Sequence, residues 1–165
     1  MGREVRRVPA DWQHPKDEQG RYIPLLGRSF SKDTAEWNEG KELWEQGKRR
    51  HFCDGTIVPR SPEHTGTWEE WEGPAPQAER YMPDWPEERR THWQMYEDTS
   101  EGTPISPVFA TPEELARWLA DNRASAFANM TATYEQWLAT RLRGWAPSAV
   151  IAGGVMRSGV AASEK

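Results

Sequence analysis

Four side chains with metal-ligand chemistry stand close together in the sequence: His51, Cys53, Asp54 and His64. Zinc accepts thiolate, imidazole and carboxylate in a tetrahedral shell, and a closed site can hold together a segment without an apolar core. The spacing His51-x-Cys53-x10-His64 fits no common zinc pattern. The expectation is therefore no metal and no cofactor, with these four as the candidates should one bind. Cys53 beside His51, His64 or His92 also offers thiol and imidazole, the parts of a nucleophilic pair. No flanking motif supports it, and side chains two apart share a face in strands but not in helices. A third group is the loop at residues 100–107, with Ser100, Glu101, Gly102, Thr103 and Ser106. Its hydroxyls and backbone N–H groups could receive an anion. No Gly-x-x-x-x-Gly-Lys is present, which excludes a P-loop. Pro104 and Pro107 favour a rigid corner that fixes the start of the next helix.

The most concentrated chemistry is acidic and aromatic. Trp68-Glu69-Glu70-Trp71-Glu72 is followed by Trp85-Pro86-Glu87-Glu88. Indoles ringed by carboxylates suit a surface that meets a basic partner, because Trp is a frequent interface anchor and the acidic field steers association. Such carboxylates could also act as acid and base, but nothing positions a substrate between them. The competing reading is a solvated charged face with the indoles turned inward. At the N-terminus, Arg3, Arg6 and Arg7 form a short basic arm that could equally pair within the chain.

These residues need elements to hold them. Residues 1–30, with Pro9, Pro15 and Pro24, read as an extended arm anchored by Trp12, Tyr22, Ile23 and Leu25. Residues 31–50 read as a helix over about 32–48 with Ser31 as N-cap. Trp37, Gly40, Trp44 and Gly47 share its stripe, and glycines there would let another backbone approach. Residues 51–91 hold six prolines and read as an irregular acidic segment without long helices. Residues 92–160 read as strand, helix, helix and hairpin. Residues 93–97 alternate as a strand, and residues 99–102 form a turn. Thr111-Pro112-Glu113-Glu114 is a capping box with Pro at the first helical position. A further helix runs from Thr131 or Thr133 to Arg143, and Gly153-Gly154 turns a hairpin. The fold class is α+β, a small single domain over residues 1–165, with three or four helices on a small, mostly antiparallel sheet. Residues 1–3 and 161–165 read as frayed ends.

Composition bounds the function. Across 165 residues, Leu, Ile, Val and Phe supply about 13% of the chain, a level that favours disorder. Ten Trp oppose that, since each buried indole removes a large apolar area at small entropic cost. The net charge is −5, which argues against a broadly basic nucleic-acid binder. The middle segment, residues 51–101, holds 12 acidic and 4 basic residues, so it contains the whole negative excess. No long apolar run points to a membrane, and a single Cys with no secretory leader points to the cytoplasm. The expected partner is a protein with a basic surface; direct nucleic-acid binding is not expected, and oligomeric state is not legible.

The string SEGTPISPVFATPEELARWLADN, residues 100–122, resembles a signature of proteins encoded by tailed bacteriophages and prophages. REVRRVPADWQHP with GRYIPL, and MTATYEQWLATRLRGWAPSAV, are similar to the opening and closing segments of the same family, whose function is unknown. The resemblance implies a phage accessory protein acting in a bacterial cytoplasm and transfers no catalytic residue. Some relatives carry Cys-x-x-Cys pairs where this chain has one Cys, so the resemblance does not extend to a zinc ribbon. Three readings follow. The leading one is a non-enzymatic phage accessory protein that binds a host or phage macromolecule, as a host-takeover or anti-defence factor. The others are a small enzyme or nucleotide-binding protein centred on His51, Cys53, Asp54 and the loop at 100–107, and a virion assembly component.

Overall fold

Arg3–Val8 forms a strand, β1, and the computed structural model, which describes residues 2–97 and 102–163, places it inside a sheet. The order is β5-β4-β1-β6, with β4 at His92–Glu97, β5 at Thr103–Pro104 and β6 at Trp145–Ala146. All pairings are antiparallel, and β1 meets β4 over six residues from Arg3↔Glu97 to Val8↔His92. The opening segment is thus an inner strand where an arm was expected, and Gly2 and Arg3 are buried where a frayed end was expected. The reason is pairing with residues distant in sequence, which charge patterning hides. Arg3 is buried, and its guanidinium donates to Ser125 O and Ser125 Oγ. Buried Arg6 donates to Leu25 O and Glu4 and lies over the Tyr96 ring. Buried charges are tolerated only with such partners.

The chain divides into two compact units, Met1–Gly27 with Trp85–Lys165, and Arg28–Asp84. The first contains this sheet, α3 (Pro112–Asp121), α4 (Tyr134–Arg143) and the hairpin of β7 (Ala149–Ala152) and β8 (Val155–Ser158), turned by Gly153-Gly154. The first begins as the sequence predicts, and the second begins at Thr133, one of its two expected starts. Thr111 and Thr133 accept from the N–H groups of Glu114 and Gln136, whose side chains return to the capping residues. Met95, Leu115, Ala116, Leu119, Ala126, Trp137, Ala146 and Val160 form the core, with Trp93 and Trp118 packed against it. The expected turn at 99–102 lies largely outside the described residues; Gly102 itself is buried.

The second unit contains α1 (Phe30–Glu45), the hairpin of β2 (Lys48–Arg50) and β3 (Ile57–Pro59), and α2 (Trp68–Glu72). Ser29 caps α1, not Ser31: the Ser29 side chain accepts from Lys32 N–H, and Ser31 Oγ bonds Ser29 Oγ and Asp84. The helix ends at Glu45, short of the expected end at about 48, and Lys48–Arg50 pair as a strand beyond Gly47. The fold class is α+β, with four α-helices among the described residues, antiparallel sheets and Trp in the cores.

Candidate interaction surface

The centre of the second unit is a clamp of indoles. Trp37 and Trp44 lie two turns apart on α1. Their N–H groups donate to Gly73 O at 3.2 Å and Gly66 O at 3.0 Å, the carbonyls on either side of α2. Between them Gly40 leaves room for the Trp68 ring, whose Cζ2 would lie 2.4 Å from a Cβ at position 40. The glycine stripe therefore admits a side chain, where a backbone was expected. Thr67 and Glu70 form a capping box at the start of α2, and Lys41 Nζ donates to Glu69 at 2.8 Å.

This clamp decides how the acidic candidates stand. Trp68 is inward and half-buried. Trp71 is 49% exposed, with one side on Trp44 at 5.4 Å between ring centroids and His64 at 4.3 Å. Arg60 lies over the Trp44 ring. Glu69 is held below the usual carboxylate range by its Lys41 hydrogen bond, so part of its charge is compensated. Glu70 is occupied in the cap, and Glu72 is exposed. The remaining candidates belong to the other unit. Trp85 packs edge-on against Trp12 at 4.6 Å, and Glu87 pairs with Arg7 and Arg90. Glu88 is exposed. One continuous patch from Trp68 to Glu88 is therefore not assembled within a single unit; what remains in the second is Trp71 with Glu70 and Glu72.

The other candidates separate as well. His51 Nδ1 lies 3.0 Å from Asp54 Oδ1, and Asp54 also accepts from Thr56 N–H and Oγ1–H. The Thr56 backbone bond is the main reason the Asp54 carboxyl sits below its ordinary range. This is a hairpin turn that ties its own backbone. Cys53 is exposed beside Phe52, which is 96% exposed, and His64 is against Trp71. Among the described residues no three of His, Cys, Asp and Glu converge to hold a metal. Of the loop candidates, Ser100 and Glu101 lie outside the described residues. Thr103 pairs with Glu97, and Gly102 O accepts from Leu25 N–H. Ser106 Oγ accepts from Met95 N–H at 2.9 Å and donates to Pro107 O at 2.8 Å. Its hydroxyl completes the β4 ladder and is not aimed at an anion.

A buried polar network lies outside the candidates that the sequence offers. Tyr96 Oη accepts from Trp12 Nε1–H at 3.0 Å, lies 2.8 Å from Gln94 Oε1 and 3.2 Å from His14 Nδ1. His14 Nε2–H donates to Ile23 O at 2.6 Å, and Gln94 Nε2–H donates to Ser106 O at 2.8 Å. Burial pushes the Tyr96 hydroxyl up to about 12. His14 is lowered, first by burial and further by the nearby Arg6 charge, against a raising bond from Ile23. The alternation of β4 puts Gln94 and Tyr96 on one face, the only local signal that a polar layer lies there. Among the described residues, no helix is long and apolar enough to cross a membrane. Compared with protein-family models, curated proteins and solved structures, the chain matches none.

Proposed function

We propose that this chain is a non-enzymatic accessory protein of a bacteriophage or prophage, which captures a basic protein partner in the bacterial cytoplasm as a host-takeover or anti-defence factor. One observation carries the binding part. Trp71 is half-exposed on a preorganised base of Trp44 and His64, with Glu70 and Glu72 as its neighbours in the sequence. An indole already fixed in place loses little freedom on binding, and buried Trp is a common energetic anchor. The unit that contains it has 12 acidic and 8 basic residues, so it accounts for −4 of the net −5. That field favours a basic partner. The phage context rests on the sequence resemblance.

Affinity purification of the tagged chain from phage-bearing bacteria, with mass spectrometry, tests the reading. The expected result is enrichment of a basic protein by the parent that fades with salt and is lost in Trp71→Ala. Equal capture by parent and a folded Trp71→Ala would remove Trp71 from the account.

A further inference from the structure

The first unit contains a cleft of about 810 Å3, within the ~300–1,000 Å3 range of small-molecule sites. Its aromatic walls are Trp12, Tyr22 and Trp118, and Ile105 and Val108 add apolar surface. Its polar lining includes His14, Gln94 and Ser106, all buried, with His14 only 7% exposed. Those polar atoms are already joined through Tyr96 and backbone carbonyls, so they fix the shape of the floor. The charges around it are unequal. Lys16 lines the cleft, with Nζ 4.7 Å from the Tyr22 ring centroid, and no described carboxylate lines it, in a chain whose net charge is −5.

We infer that this cleft binds a planar aromatic molecule carrying an anionic group, with the ring between Trp12, Tyr22 and Trp118 and the anion at Lys16. Aromatic side chains accept flat π-systems by offset or edge-on packing with little loss of their own freedom. A lysine at the wall supplies a point charge and three donors without fixing the anion's geometry. A carboxylate and a phosphate satisfy it by the same chemistry. The inference is independent of the Trp71 surface, which lies in the other unit.

The test uses the full chain and four small probes: 2-naphthoate, 2-naphthyl phosphate, 2-naphthamide and 2-naphthylmethylammonium. Binding is followed by amide and indole shifts in nitrogen-proton NMR spectra. Both anions should shift the Trp12 and Trp118 indole signals and bind about fivefold or more tighter than the amide, the effect of one solvent-screened charge near contact distance. Lys16 is exposed, so Lys16→Gln and Lys16→Glu should leave the spectrum folded. The first should abolish the anion preference, and the second should shift it to the ammonium probe. The tighter of the two anions identifies the group. The inference fails if no probe shifts those signals at millimolar concentration. It also fails if all four bind alike, or if the anion preference survives Lys16→Glu.

Discussion

Gly40→Ala should reverse sign with its neighbour. In an isolated helix, Ala is more favourable than Gly by about 1 kcal/mol. Here a Cβ would lie 2.4 Å from Trp68 Cζ2 and 2.7 Å from Cη2, more than 1 Å inside ordinary contact. The ring cannot simply turn away, because it lies between Trp37 at 6.3 Å and Trp44 at 5.8 Å, whose N–H groups are tied to the segment around α2. Overpacking costs ~1–3 kcal/mol, and a clash this deep against a ring held on both sides falls in the upper part of that range, ~2–3 kcal/mol. Set against the propensity gain, Gly40→Ala should destabilise the second unit by about 1–2 kcal/mol. In a Trp68→Ala background the obstacle is gone, and the same substitution should stabilise by about 1 kcal/mol. The coupling between the sites is then ~2–3 kcal/mol, the range for residues in direct contact. Hydrogen exchange of the α1 amides reads this unit separately from the sheet. Slower exchange in Gly40→Ala alone would refute the packing described for Trp68.

Three further outcomes follow from the same geometry. Gly102 has φ +55 and its Cβ would lie 2.2 Å from Leu25 O, so Gly102→Ala should lower the urea midpoint of the first unit by the equivalent of ~2–4 kcal/mol; an unchanged midpoint would contradict it. Thr111→Ala removes the acceptor for Glu114 N–H and should cost about 1 kcal/mol, read from the same midpoint. His14 has a folded-state pKa below its unfolded value, so its contribution is present above pH ~6.5 and is lost as pH falls through the lower folded value. Urea midpoints of the first unit should therefore decline from pH 7.5 to 5.5, and His14→Gln should flatten that decline.

Local chemistry was legible and distant partnership was not. The box at Thr111, the Gly153-Gly154 hairpin and strand β4 are set by neighbouring residues, and they stand where the sequence places them. Thr67 and Glu70 carry the same capping signature, which the surrounding prolines mask. Ser29 and Ser31 are both competent caps, and a spacing of two does not choose between them. Strand β1 reads as a basic arm because the partners of its buried arginines, Leu25 O and Ser125, lie far away in sequence. The candidate site divides on the same line. Composition isolates the acidic Trp segment, but only the clamp on α1 separates inward Trp68 from exposed Trp71. The network of His14, Gln94 and Tyr96 joins residues more than 80 apart, and the alternation of Gln94 and Tyr96 on β4 marks only one side of it.

The central claim is that Trp71 meets a partner. Replacing Trp71 with a photo-crosslinking diazirine analogue of tryptophan, which keeps the indole, and Trp145 of the other unit as control, tests it in infected bacteria. Trp145 is as exposed as Trp71, at 48% against 49%. The account predicts a discrete adduct with a basic protein from position 71 that is absent from position 145. No adduct at position 71, or the same adducts from both positions, would contradict it.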